Sequence, residues 1–248
     1  MPELLSLRDY ELAAQAALGP AAFDYYAGGA ADEITLRENR AAFDRFHLRP
    51  RVLVDVSRRK LGTTVLGRSI PFPVLIAPTA LHGLAHPEGE VATARGAGLE
   101  GVILVLSTVS NQPLEAVRAA STAPLWFQLY VYRDLELSRE LVQRVEAAGF
   151  DALVLTVDAP VLGLRERDVR HRFRLPPELV LANLPAGLKR LPDAPDDSAM
   201  AAHFATMINP ALSWKDLEWL GSITRLPVIV KGVLRADDAR LAVEHGAR

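Results

Sequence analysis

Five short apolar runs in the chain each close on a side chain able to donate, accept or carry charge. They are residues 73–80 with Thr79, 101–108 with Ser107, 124–132 with Gln128 and Tyr130, 150–158 with Thr156 and Asp158, and 226–232 with Lys231. An amide and two hydroxyls can pair with a ligand edge that offers both acceptors and a donor, as the pyrimidine edge of a flavin does. A lysine at such an edge stabilises the negative charge that builds there on two-electron reduction. Taken singly, each group has another use: Thr156 can satisfy backbone, and Lys231 can be an exposed strand end or a Schiff-base lysine. Taken together they point to an active site, because polar ends on five buried strands are hard to explain by packing.

The elements that must position these groups follow from the runs themselves. Rich in Val, Ile and Leu and too continuous for strands with one wet face, they are expected to be parallel strands buried on both sides. Helical patterns at 88–98, 114–120, 135–148 and 236–245 separate or follow them, so repeated βα units should form one parallel sheet. The first four runs begin roughly 25 residues apart, the repeat of an eight-unit α/β barrel, in which the carboxyl ends of the strands face the substrate. The expected fold class is α/β, of the (β/α)8 TIM-barrel family, with about five of the eight βα units in 71–248.

Residues 1–70 read as an N-terminal helical segment with lid strands. Ser6-Leu-Arg-Asp9 is a capping box opening a helix, and 21–26 and 32–43 are further helices. Short extended pieces at 51–56 and 63–66 are expected to cover the barrel floor. Residues 175–208, rich in Pro with acidic 193–197, show little periodicity and are expected to form a long loop, poorly ordered near 193–202, before a helix over 213–223.

Composition narrows the function. A net charge of -2 over 248 residues gives no long-range attraction to nucleic acid or an anionic membrane. The absence of cysteine excludes disulfides, thiolate metal sites and a cysteine nucleophile. The first residues lack a signal-peptide pattern and no stretch reaches the roughly 20 apolar residues of a membrane span, so a cytoplasmic location is expected. Gly96-Ala-Gly98-Leu-Glu-Gly101 spells a dinucleotide-binding pattern, but a helix precedes and a strand follows, the reverse of what a pyrophosphate site needs. His82 and His86 flank Gly83 in a loop without a third ligand, so no metal site is expected.

Several ordered motifs resemble the FMN-dependent α-hydroxy-acid oxidase and dehydrogenase family, which includes glycolate, lactate and mandelate-oxidising enzymes. They are Ala77-Pro-Thr-Ala80 with Leu84-Ala-His-Pro-Glu-Gly-Glu90, Phe127-Gln-Leu-Tyr-Val-Tyr132, Leu155-Thr-Val-Asp-Ala-Pro160 with Gly163 and Arg165-Glu166, and Leu226-Pro-Val-Ile-Val-Lys-Gly232. The resemblance runs from Tyr10 to Arg248. It implies FMN at a barrel mouth, with Pro78, Thr79 and Ala80 against the ring, Ser107, Gln128 and Thr156 at its edge and Lys231 near N1. It also implies that Tyr25 and Arg165 hold the carboxylate of a small 2-hydroxy-acid substrate, that Tyr130 touches its hydroxyl, and that Asp158 orients a catalytic histidine. The implied reaction is oxidation of an (S)-2-hydroxy acid to a 2-oxo acid, with electrons passing to FMN and then to O₂ or another acceptor. Such enzymes often form tetramers.

Two departures qualify the resemblance. Val109 stands where glycolate-oxidase-like members often carry Trp, which should widen the pocket toward a bulkier side chain. The Ser-Asn-His-Gly-Gly-Arg-Gln-Leu-Asp-like segment that supplies the base and a second arginine is not found, and none of the six histidines stands in that context. The chain therefore reads as a truncated member, poorly stable and inactive by itself because five strands cannot close. The rivals are a non-catalytic remnant acting as a binding or interaction module or needing a complementary chain, and a flavin barrel of the isomerase type.

Overall fold

The computed structural model of the protein describes residues 4–194 and 198–248. The N-terminal part holds α1 (Leu7–Ala17), α2 (Pro20–Ala27) and α3 (Ile34–Ala41), the last running into a 3-10 turn at Ala42–Arg45. The capping box forms: the Asp9 N–H donates to Ser6 Oγ at 3.2 Å, and the Ser6 N–H donates to Asp9 Oδ2 at 2.7 Å. Pro20 opens α2, where its missing N–H would have had no helical partner.

β1 (Thr63–Val65) and β2 (Arg68–Ile70) pair as an antiparallel hairpin. Leu66 and Gly67 between them both take positive φ, the two-residue turn whose twist suits a hairpin. Ile70 and Val65 pack against Ile103, Val105, Trp126, Ala152 and Val154. Arg68 pairs with Asp151 at 2.5 Å, so the hairpin lies over the end of the sheet where the strands begin. The extended piece expected at 51–56 pairs with nothing as a strand; Leu53 has φ of 57° and is fully exposed.

The remainder runs α4 (Gly89–Glu100), β3 (Leu104–Ser107), α5 (Leu114–Ala119), β4 (Leu125–Leu129), α6 (Leu135–Ala147), β5 (Ala152–Thr156), α7 (Glu166–Arg170), α8 (Ala199–Met207), α9 (Trp214–Ile223), β6 (Val228–Lys231) and α10 (Ala236–Glu244). β3 to β6 form one parallel sheet in chain order. Four of the five expected strands are therefore present among the described residues. The run at 73–80 contributes only a parallel bridge, Ile76 with Leu104. Pro71, Pro73 and Pro78 remove backbone donors around it, which restricts the segment to an edge.

The strands are mainly apolar, and their two faces differ. Leu104, Leu106, Leu125, Phe127, Leu129, Leu153, Leu155 and Val228 join the main core, which the helices cover. The other face begins with Val105, Trp126, Ala152 and Val154 and ends with Ser107, Gln128, Thr156 and Lys231. Side-chain alternation along a strand makes this division unavoidable once one face is covered by helices. The three glycines of 96–101 lie in α4 and its C-cap, Gly101 in the left-handed conformation, and lead into β3, as a helix exit requires.

Residues 175–208 are not one long loop. A 3-10 turn occupies Ala186–Leu188, and α8 buries Ala199, Met200 and His203. Its apolar face has helical spacing that the flanking prolines and aspartates hide in sequence. Of the segment expected to be poorly ordered, 199–202 lie in α8 and 195–197 fall outside the described residues. α7 was likewise unexpected.

Candidate active site

Ser107, Gln128 and Thr156 stand on neighbouring strands and form one buried network. Ser107 Oγ donates to Gln128 Oε1 at 3.3 Å, the Thr108 N–H donates to the same oxygen at 3.2 Å, and Gln128 Nε2 donates to Thr156 Oγ1 at 3.0 Å. Register explains the last contact. Gln128 is level with Val154, so Thr156 sits one pleat nearer the carboxyl end and the long amide reaches it diagonally. Thr108 was not anticipated, yet its hydroxyl donates to the Gln128 carbonyl at 2.5 Å and accepts the Tyr130 N–H at 3.1 Å. Its position beside Ser107 was the available signal.

Thr156 is level with Lys231 in the ladder. Lys231 Nζ lies 3.4 Å from Asp158 Oδ2, with both side chains nearly half exposed. Asp158 thus has Lys231 as its partner among the described residues. Gly232 makes this approach possible: with φ of 112°, a Cβ there would stand 2.6 Å from Asp158 Cβ. Tyr130 packs edge-on against Phe204 at 4.8 Å. Burial, aided by the Asp158 charge, pushes its hydroxyl up to about 12, so it stays protonated and able to donate at neutral pH. Tyr130 and Thr156 also line a cavity of about 350 Å³ with Leu155, Pro160, Ile208 and Trp214.

Tyr25 and Arg165 come together across the chain. Arg165 donates from Nε to Asp168 Oδ2 at 2.6 Å, from Nη1 to the Gly28 carbonyl at 2.9 Å and from Nη2 to the Tyr25 carbonyl at 2.5 Å. A guanidinium has five N–H groups, so two are left for a carboxylate. The Tyr25 ring stacks on Phe173 at 4.7 Å and lies 5.6 Å from the Arg165 guanidinium. Burial holds its hydroxyl far above the ordinary tyrosine range, against the opposing pull of Arg165. Arg167 binds both Asp24 and Glu33, at 3.1 and 2.7 Å, and His171 adds a contact to Asp24 at 2.8 Å. Helix α2 is thereby fastened to α7. Asp168, three residues beyond Arg165, was legible as an i, i+3 partner and was missed.

Pro78, Thr79 and Ala80 follow the bridge residue Ile76 in a partly exposed loop. Val109 is buried in the main core and does not line the cavity beside Tyr130. The histidines stand elsewhere: His82 Nδ1 is 3.0 Å from Thr93 Oγ1, His86 accepts from the Glu88 N–H, and His245 pairs with Glu218. His203 is buried beside Tyr132, and burial holds its imidazole down to about 4. An unfolded histidine titrates near 6.5, so the stability tied to the neutral ring is complete above that pH and is lost as pH falls toward 4, by about 3 kcal/mol in all. His203→Leu should flatten this part of the profile in urea unfolding between pH 7 and 4.5. A wild-type slope in the variant would show that the ring titrates normally.

The parallel sheet thus carries a row of polar strand ends at Ser107, Gln128, Thr156 and Lys231, and Arg165 is joined to the Tyr25 backbone across the chain. The sequence profile of the FMN-dependent dehydrogenase family matches residues 14–248, and the chain belongs to that family. It is 54% identical to an L-lactate oxidase of Nostoc sp., covering 98% of this chain and 68% of that protein. It is 49% identical to glycolate oxidase 3 of Oryza sativa subsp. indica, covering 100% and 67%. Among solved structures, a mandelate oxidase with (S)-4-hydroxymandelic acid superposes with a TM-score of 0.93 at 41% identity, covering 98% of this chain and 68% of that one. The chain thus spans about two thirds of the length of these relatives. FMN is the cofactor of the family, and the fold class is its TIM barrel. Among the described residues no helix is long and apolar enough to cross a membrane.

Proposed function

We propose that this chain carries the flavin-ring side and part of the substrate side of an FMN-dependent 2-hydroxy-acid oxidase site. The supporting observation is the continuous row Ser107, Gln128, Thr156 and Lys231 across four adjacent strands, capped by the Lys231–Asp158 pair. Ser107, Gln128 and Thr156 would offer donors and acceptors to the ring edge, Lys231 would offer positive charge to it, and Pro78, Thr79 and Ala80 would hold the ring. When bound, FMN takes the two electrons lost as a 2-hydroxy acid becomes a 2-oxo acid, and O₂ or another acceptor takes them next.

The chain's own residues bind and orient the substrate. Tyr25 and the two spare N–H groups of Arg165 hold the carboxylate, and Tyr130, protonated at neutral pH, donates to the hydroxyl end. Asp158 is free to support a protonated base once Lys231 turns to the flavin, because the pair is half exposed and surface pairs are weakly held. Among the described residues the contacts of His82, His86, His171, His203 and His245 are with groups other than Tyr130 and Asp158.

The 248-residue polypeptide is therefore expected to bind FMN and yet give no turnover. Flavin fluorescence should be quenched on titration, and anaerobic addition of lactate, glycolate or mandelate should leave the visible absorption band of the oxidised flavin unbleached. Bleaching would place the base among these residues. Absence of any FMN binding would favour the alternative of an interaction module.

A further inference from the structure

Glu90 is a carboxylate that the site described above does not use, and it is 1% exposed. Its Oε1 accepts two backbone N–H groups from different loops, His82 at 3.1 Å and Asn111 at 3.1 Å. Its Oε2 is buried without a hydrogen-bond partner. Burying a carboxylate is costly, so its retention calls for a role that an apolar residue could not fill.

The two loops it joins are those that follow the bridge at Ile76 and strand β3. The first contains Leu81, wholly buried and in the left-handed conformation at φ 61°, which a leucine adopts only under constraint. Three elements supply that constraint. Tyr26 of α2 donates its hydroxyl to the Leu81 carbonyl at 2.6 Å, the Leu81 N–H donates to the Val109 carbonyl at 3.1 Å, and Glu90 of α4 takes the next N–H. Asn111 Oδ1 accepts the Gly83 N–H at 3.0 Å, and a Cβ at Gly83 would stand 2.8 Å from that oxygen. The turn is over-determined, and it directly follows Pro78–Ala80.

We propose that Glu90 is a positioning residue for the flavin, clamping the Leu81 turn to the Val109–Asn111 loop so that Pro78–Ala80 and Ser107 present one surface to the ring. This rests on the assignment of Pro78–Ala80 to the flavin. A carboxylate suits the task because one oxygen can accept two amides at once, which no apolar side chain and no donor can do.

The test is hydrogen exchange by mass spectrometry on the 248-residue chain, comparing wild type with Glu90→Ala, Glu90→Gln and Tyr26→Phe, alongside FMN titration by fluorescence. Glu90→Ala should speed exchange in peptides spanning 80–84 and 108–112 by about tenfold or more while β4 and β5 stay protected, and should weaken FMN binding by about tenfold. Glu90→Gln keeps an acceptor oxygen and should restore both. Tyr26→Phe touches the same turn from the other side and should loosen 80–84 alone, which keeps the test decisive if Glu90→Ala does not fold. Uniform loss of protection along the chain, or Glu90→Gln as damaging as Glu90→Ala, would overturn the clamp. The expected exchange pattern with no change in FMN affinity would overturn the link to the flavin, and a wild type that binds no FMN would identify the site assignment as the failed step.

Discussion

Gln128→Leu is expected to abolish FMN binding and to destabilise the chain by about 3 kcal/mol. Leucine fills a similar volume, so the effect is not a cavity. It comes from the groups left behind: the Thr108 N–H, the Ser107 hydroxyl and the Thr156 hydroxyl all lose the amide, in a region where Ser107, Thr108 and Thr156 are each less than 5% exposed. The two hydroxyls can rotate toward other acceptors. The backbone N–H cannot, and an unpaired buried donor costs about 1–3 kcal/mol by itself. Urea unfolding reads the first effect and FMN fluorescence the second. A variant that kept wild-type FMN affinity would remove Gln128 from the flavin edge, however unstable it proved.

Asp168→Ala is expected to cost about 3 kcal/mol, near the lower end for breaking a buried pair, because the Arg165 side chain retains some contact with water. The Asp168 side chain is 1% exposed and its Oδ2 takes the Arg165 Nε–H at 2.6 Å. Arg165 in turn holds the carbonyls of Tyr25 and Gly28, so losing its anchor should release α2 as well. Asp168→Asn keeps an acceptor without the charge and should cost less, about 1–2 kcal/mol. Unfolding midpoints rank the two variants, and limited proteolysis within residues 20–30 reports the release of α2. An alanine variant within experimental error of wild type would show that Arg165 is held by the two carbonyls alone.

These two predictions draw on contacts of different legibility. The row at Ser107, Gln128, Thr156 and Lys231 was visible because each residue follows a run with strand length and parity, and parallel strands bring their ends to one side. The four strands formed where expected for the same reason. The run at 73–80 did not, because apolar content cannot replace the backbone donors that its prolines remove. Helix α8 escaped notice because its own face was set among residues that favour loops, and tertiary burial of Ala199, Met200 and His203 outweighed that bias.

Sequence by itself determined four of the parallel strands, the helix starts at Ser6 and Ser213, and which residues close each of those strands, since all of these depend on neighbours a few positions away. Only the tertiary structure decided who meets whom. The diagonal from Gln128 to Thr156 depends on the stagger between β4 and β5, the Lys231–Asp158 pair spans 73 residues, and Arg165 reaches the Tyr25 carbonyl across 140. Glu90 shows the difference most clearly. In sequence it is one acidic residue in a helix, but buried at the meeting of two loops its carboxylate has two amides to satisfy. Spacing along a chain fixes parity and local hydrogen bonding, whereas stagger and loop closure are set by the packing of the whole sheet against its helices.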